Sequence, residues 1–576
     1  MKLTKSDVFS LIKQWGDYLL DHQITELETP LLKGGLLCPA CSYIHGRGAD
    51  LVPALVILYA ETGEKRYLEA AELLIDFAEN NLLRDHKLYV NETDSVWFGV
   101  SAFFAMGLGE ILLHYGNILP KHVYDRWYAI FTRIAENFNA QFVKAINSIN
   151  YSAGAAGLFA LAYNITNEEK YKALAEKYEA VLDSHFDDNN ILYGEWSNHD
   201  YVTKKGCRGI DMGYNIEESL QILIQYCVWM QDEEKLEKYC QRALAHLDFI
   251  MPDGGIDNSF GTRNAKWTYW GSRTTDGVWG GFSLVTGRDK RFAKAATLSF
   301  ELVKRCTVDG AFYGGPMMHD YGDFACAHHA FTHAKSLAFM YINMQEKDFE
   351  NLEEIVLPRE VEYGIKDYQN GYLKLVSVGG MRATISAVDA LRAQDSECFG
   401  GNLNLLWHKE YGPICATTMH LYRRTEVHNM QSLRQGKTEC MTPRIICGEY
   451  SSDTDKTVEI SSSGDKNKAE VTVIGNNELN FKIVYTFVGD ELEMTIICEK
   501  DSIYKLPIIA DKKAEIKLIS QNEINFRNML TVTASAEIKT DDFSKRYFNQ
   551  VGGFEYLPLE IPLKANETVK VKFTVK

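Results

Sequence analysis

Residues 165–182 read ITNEEKYKALAEKYEAVL, and the phrase recurs in variant form along the first half of the chain. ETGEKRYLEAAELLIDFAE occupies 61–79, MQDEEKLEKYCQRALAHLDF 230–249 and VTGRDKRFAKAATLSFELV 285–303. Each is a tight polar turn followed by apolar residues at i, i+3, i+4 and i+7, the period of a helix with one buried face. Before each runs a more apolar segment: LVPALVILYA, AGAAGLFALAY, SLQILIQYCVWM and GVWGGFSLV. A helix that is apolar all round lies inside, and an amphipathic one lies over it.

The phrases recur about every 50 to 60 residues, or at about double that interval where a copy is degenerate. The hidden copy is DSVWFGVSAFFAMGLGEILLHYG followed by KHVYDRWYAIFTRIAENF. Helical hairpins of this period build a solenoid or a closed ring. A ring of inner and outer helices fits best, because the inner helices are patterned for burial on all sides. Six inner helices are expected, starting near Ala49, Trp97, Tyr151, Met212, Gly271 and Ala327. The helix over Lys5 to Leu20 would be an outer one closing against the last inner one.

After about Asp348 the period changes. LKLVSVGGMRATISAV, KAEVTVIGNN, FKIVYTFVGDELEMTIICE and VKVKFTVK alternate apolar and polar residues and are punctuated by Gly-Gly, Gly-Asn and Gly-Asp. This is the pattern of antiparallel strands. The expected class is α+β and multidomain: an (α/α)6 toroid over residues 1–348, then an antiparallel β-sandwich over 349–576.

Hydrophobic content of 46% and charged content of 24% are those of a soluble globular protein. A net charge of −17 argues against a general nucleic-acid binder, although a local basic cleft for an anionic ligand remains compatible with it. The N-terminal MKLTKSDVFSLIKQWGDYLL lacks the continuous apolar core of a signal peptide, and no apolar run is long enough for a membrane helix. With twelve cysteines and no export signal, reduced thiols and a cytoplasmic location are expected. No phosphate-cradling GxxxxGK occurs, so no nucleotide cofactor is expected. The sequence carries no signal of oligomeric state.

The entries of the inner helices concentrate chemistry. His45, Arg47 and Asp50 sit at the first, Asp94 and Trp97 at the second, and Asn147, Asn150 and Tyr151 at the third. Arg208, Asp211, Tyr214 and Asn215 sit at the fourth, Trp270, Arg273 and Asp276 at the fifth, and His328, His329 and His333 at the sixth. Helix caps account for Asp or Asn, but not for Trp, Tyr, Arg and His at the same places. All six entries of a toroid open on one axial face, so a shared cleft is expected. Two long loops, 192–219 and 253–277, feed the same face and are rich in Trp, Tyr, Arg and Asn.

The repeat, the β-rich tail and these loops resemble the toroid-plus-sandwich polysaccharide lyases, the broad group of heparinase II/III-like, alginate and chondroitin lyases. The resemblance spans nearly the whole chain as architecture and loop pattern. Its motifs are Asn150-Tyr151 in NSINYSAGAAG, His199 in EWSNHDY and Gly213-Tyr214 in DMGYNIEES. It implies β-elimination in a uronic-acid glycan, leaving an unsaturated uronate. That chemistry removes the C5 proton while the carboxylate is neutralised and the departing oxygen is protonated. The resemblance implies Tyr214 as acid and base, His199 as second base or neutraliser and Asn150 as carboxylate neutraliser. Arg208, Arg273, Trp270, His45, Arg47, Trp97, Asp211 and His329 are the expected contacts to an anionic oligosaccharide or polysaccharide. Tyr214 also reads as scaffold, and Asn150 as a helix cap. Tyr201 and His45 are rivals for the roles of Tyr214 and His199.

A second reading stays open, a glycoside hydrolase on the same ring, including unsaturated-uronide hydrolases. It would use paired carboxylates drawn from Asp50, Asp94, Glu195, Asp211 and Asp276. Finally, Cys38 and Cys41 form CPAC, while Cys326 and His328 lie in CAHHAFTH at the last inner helix. Ring closure would bring these together, so a structural zinc site is sterically open; buried thiols at a polar helix entry are the plain alternative.

Overall fold

The alternation of apolar and amphipathic segments becomes a closed ring. The computed structural model describes residues 2–26, 30–84, 87–89, 97, 99–142, 148–196, 201–267, 269–270, 277, 279–390, 399–422 and 440–576. In chain order the helices are α1 (Lys5–Leu20), α2 (Val52–Thr62), α3 (Lys65–Phe77), α4 (Val100–Tyr115), α5 (Lys121–Phe142), α6 (Ile149–Thr166) and α7 (Glu169–Asp183). They continue as α8 (Met212–Tyr214), α9 (Leu220–Met230), α10 (Glu233–His246), α11 (Lys290–Arg305), α12 (Met318–Tyr321) and α13 (Ala327–Asn343).

The inner ring runs α2, α4, α6, α9, a 3-10 turn at Gly281–Leu284, α13 and back to α2, each touching the next. The outer helices α3, α5, α7 and α10 bury one face, α11 is buried continuously from Ala295 to Phe300, and α1 packs on α13 as the sequence pattern requires. The inner helices are buried nearly throughout, as in α4 from Val100 to Leu112. A fully buried Leu, Ile or Phe there contributes about 1.5–3 kcal/mol. The polar turns do the local work: Asp232 accepts from the Lys235 N–H and Asp289 from the Arg291 N–H. Gly63, at φ 71°, supplies the left-handed residue that stops α2.

The fifth inner position departs from expectation. A helix was expected from Gly271, but the described residues there form only the 3-10 turn Gly281–Leu284. Glycine is a poor helix former. The Gly280 and Gly281 N–H groups donate instead to Ser336 Oγ at 3.2 Å and Gln221 Oε1 at 2.8 Å. A Cβ on Gly281 would lie 2.6 Å from the Gln221 backbone, so the close approach needs glycine.

Antiparallel strands take over from Gly364. A five-stranded sheet runs in sequence order from Gly364–Tyr368 to Gly412–Ala416. An eight-stranded sheet holds Lys468–Gly475, Phe481–Val488 and Glu491–Cys498, and a second five-stranded sheet contains Ser502–Ile509 and Phe554–Leu563. Burial shows how they layer. Lys468–Gly475 and Phe481–Val488 alternate buried with exposed or part-exposed, so one face meets solvent. Leu373–Val378, Met381–Ser386 and Asn402–His408 are buried at every residue. That sheet is covered on both faces: Leu373 and Leu375 join the core of the ring, Val376 and Val378 the core of the sandwich. Among the described residues no helix is long and apolar enough to cross a membrane.

Candidate active site

Four of the six inner-helix entries converge. A cavity of about 150 Å³ is walled by Arg47 from the first entry, Trp97, Val100 and Phe103 from the second, Asn150 and Tyr151 from the third, and Tyr214 and Glu218 from the fourth. Trp196, Arg263 and Lys266 close it from the two long loops.

Tyr214 ends α8, and the chain then passes through a π-helical turn, Asn215–Ser219, before resuming as α9. Such turns inside helices often accompany functional sites, because they redirect side chains. Here Glu218, within the turn, accepts a 2.7 Å hydrogen bond from the Asn150 side-chain amide of α6. Gly213 allows the entry: a Cβ there would lie 1.8 Å from Cζ2 of Trp267, whose ring crosses directly over the backbone.

The guanidinium of Arg263 lies 3.8 Å from the ring centre of Tyr214 and 4.6 Å from that of Trp196. The ammonium of Lys266 lies 5.9 Å and 5.5 Å from the same two rings. Arg263 is fixed by an ion pair with the fully buried Glu195 and by Ser148 Oγ at 3.3 Å. Burial pushes the Glu195 carboxyl up, and Arg263 pulls it back. Trp196 adopts φ 60°, a left-handed conformation that costs a non-glycine residue roughly 1–2 kcal/mol. Strain of this kind concentrates at functional sites.

The loop that carries Arg263 and Lys266 is held from both sides. On the ring side, Asn258 donates to Asp211 at 2.8 Å and accepts from the Met212 N–H at 2.8 Å. On the sandwich side, Asp257 meets Arg359 at 3.5 Å and the Thr384 hydroxyl, while Asn404 donates to the Ser259 carbonyl at 2.9 Å. The sandwich therefore braces the two cations.

The expected site residues fall into separate groups. Tyr214, Asn150, Arg47 and Trp97 line the cavity together. His45 stands behind that wall; its ring packs 5.3 Å from Trp97, and its Nδ1 accepts from the Arg47 N–H at 3.0 Å. His199 and Arg273 lie outside the described residues.

Four expected contacts do not line the cavity. Asp211 is fully buried and caps α8: it accepts from the Tyr214 N–H at 3.1 Å and the Arg263 N–H at 3.1 Å, so it orients the cavity residues without facing a ligand. Trp270 packs against Phe554 at 4.8 Å and donates to the Gly553 carbonyl at 3.2 Å, which places it at the junction with the sandwich. Arg208 stacks over Tyr193 at 4.3 Å and holds Gln369 of the second domain through its backbone, away from the cavity wall. His329 is buried against Phe312 at 4.0 Å, beside Trp15, which stacks on the same ring at 4.6 Å; it belongs to the packing that closes the toroid.

The residues missed by local reading are Arg263, Lys266, Trp196 and Glu218. Arg263 and Lys266 lie in the long loop 253–277, but no periodicity announces which loop residues turn inward.

Three carboxylates of the hydrolase reading are taken up by neighbouring groups. Asp50 is ion-paired to Arg47 at 2.7 Å and Lys335 at 3.6 Å, Glu195 to Arg263, and Asp211 serves as a cap. Asp94 and Asp276 lie outside the described residues.

Comparison with known proteins agrees with this architecture. The model of the ulvan lyase N-terminal domain matches residues 12–360, and that of the ulvan lyase C-terminal domain matches residues 365–576. A broad-specificity ulvan lyase from Formosa agariphila is 32% identical, over 96% of this chain and 91% of the relative. The crystal structure of heparinase III superposes with a TM-score of 0.50 at 10% identity, covering 91% of this chain and 76% of that one, a likeness of fold. With family models covering nearly the whole chain and a full-length relative beside them, the protein belongs to the ulvan lyase family and is a polysaccharide lyase.

Proposed function

We propose that this lyase cleaves ulvan or a closely similar uronic-acid polysaccharide by β-elimination in the cavity around Tyr214. The observation that carries the reading is the placement of Tyr214 beside Arg263 and Lys266, with the Asn150–Glu218 pair in the same wall. Trp97, Tyr151 and Trp196 offer ring faces to the sugars. Arg47, Arg263 and Lys266 hold the uronate carboxylate and offset the negative charge that builds when C5 loses its proton. The Asn150 amide, with one N–H on Glu218, has its second N–H for that carboxylate.

Tyr214 takes the C5 proton as its phenolate. The C5–H electron pair becomes the C4=C5 double bond, the C4–O bond breaks, and the phenol returns the proton to the departing oxygen. His199 is a second proton acceptor in the same scheme.

The test is absorbance of the conjugated uronate during incubation with ulvan, for wild type and Tyr214→Phe. A rise with wild type and none with the variant supports the reading. Cleavage without a rise means hydrolysis and removes it; a rise with Tyr214→Phe equal to wild type removes the role of Tyr214.

A further inference from the structure

The two ends of the ring meet at a cluster of sulfur and nitrogen that the cavity chemistry does not use. Sγ of Cys38, Sγ of Cys41 and a ring nitrogen of His328 lie within 4.8 Å of one another, and all three residues are buried. Cys326 adds a third thiol, its Sγ 3.5 Å from that of Cys38. A disulfide would need about 2.05 Å between sulfurs. Around a tetrahedral zinc with bonds of ~2.3 Å, sulfurs sit ~3.8 Å apart, close to the spacing seen.

The loop that carries Cys38 and Cys41 is a tight turn. In CPAC the chain turns back on itself: the Cys38 N–H donates to the Tyr43 carbonyl at 2.9 Å, and the Ser42 N–H to the Cys38 carbonyl at 2.8 Å, with Ser42 at φ 53°. Cys326 and His328 come from the start of α13, more than 280 residues away in sequence.

We propose that Cys38, Cys41, Cys326 and His328 bind one structural zinc ion that staples the first hairpin of the toroid to its last inner helix. Three thiolates and one imidazole form a closed four-ligand set that suits zinc and leaves no position for substrate. The staple also bears on the cavity. The His328 ring lies 4.5 Å from that of His45, and His45 packs on Trp97 in the cavity wall. The zinc holds that wall in place through packing and takes no part in the elimination.

The test is metal analysis of the full-length protein with cobalt replacement in the wild-type chain. A second group, His420, Cys440 and Asp453, could also hold an ion, so Cys440→Ser is the control. Zinc at stoichiometric amount, X-ray absorption showing sulfur-rich ligation, and strong tetrahedral cobalt–thiolate bands that zinc abolishes are the expected results. Those bands persist in Cys440→Ser and are lost in Cys326→Ser. Chelation lowers the Tm and raises KM several-fold more than it lowers kcat. A metal shell of nitrogen and oxygen only, no cobalt–thiolate band in folded wild type, or a Cys38–Cys326 disulfide in the purified protein each overturns the proposal. The wild-type spectra decide it even where Cys326→Ser fails to fold.

Discussion

The Arg263 guanidinium sits face-on to the Tyr214 ring at 3.8 Å and is held there by the buried carboxylate of Glu195. Tyr214 ends α8 and Arg263 lies in a loop 49 positions later, and Asp211 receives the backbone N–H of both. Their contact sets the positive field in which the Tyr214 hydroxyl works.

Removing that hydroxyl leaves the ring and its cation contacts in place. Tyr214→Phe is expected to lower kcat by ~100-fold or more while KM changes little, the range for loss of a general acid–base group. Initial rates of unsaturated-product absorbance measure both constants.

Arg263→Ala has two separable effects. It strands the Glu195 charge in a dry site, which costs about 3–5 kcal/mol when one partner of a buried pair is removed. It also removes the cation beside Tyr214. Arg263→Ala combined with Glu195→Gln should regain much of the stability in thermal denaturation and none of the activity. Recovery of activity in the double variant would show that Arg263 acts only as scaffold.

Gly213→Ala tests how tightly the entry is packed. The added methyl would lie 1.8 Å from Trp267, so the ring or α8 must move. A loss of about 1–3 kcal/mol is expected, as for an overpacked core, together with reduced kcat because Tyr214 is the next residue. Denaturant midpoints and initial rates report the two effects separately.

Acid should loosen the site through His246. This residue is fully buried, its Nδ1 on the Arg242 carbonyl at 2.9 Å and its Nε2 accepting from the Leu192 N–H at 3.2 Å. Burial lowers its pKa from 6.5 to about 4. The folded protein therefore holds it neutral, and its contribution is complete above pH 6.5 and lost as pH falls toward 4. A loss of roughly 3 kcal/mol is expected over that window. His246→Gln should show a shallower fall in Tm between those pH values.

An anionic substrate meeting Arg47, Arg263 and Lys266 should bind less well as salt rises. KM is expected to increase with ionic strength while kcat stays nearly constant, because screening acts on the encounter and the charge contacts. Lys266→Ala should weaken that dependence. A KM indifferent to salt in both proteins would exclude electrostatic capture.

The local pattern alone determined the alternation of inner and outer helices, the closing role of α1 and the switch to strands, because helix and strand burial leave periods of 3.6 and 2 in the chain. It also put Asn150 and Tyr214 among the polar and aromatic residues at the inner-helix entries, where the resemblance to polysaccharide lyases singled them out. Only the tertiary structure decided which loop residues complete the cavity. Arg263 and Lys266 turn inward because Asn258 ties their loop to Asp211 and Met212, and Asp257 ties it to Arg359 and Thr384, contacts that span as many as 127 positions of sequence. The same long-range packing drew Trp270 to the sandwich and His329 into the ring closure. A side chain's periodic position tells which face of its helix it occupies; what waits on the other side is set by residues far away in the chain.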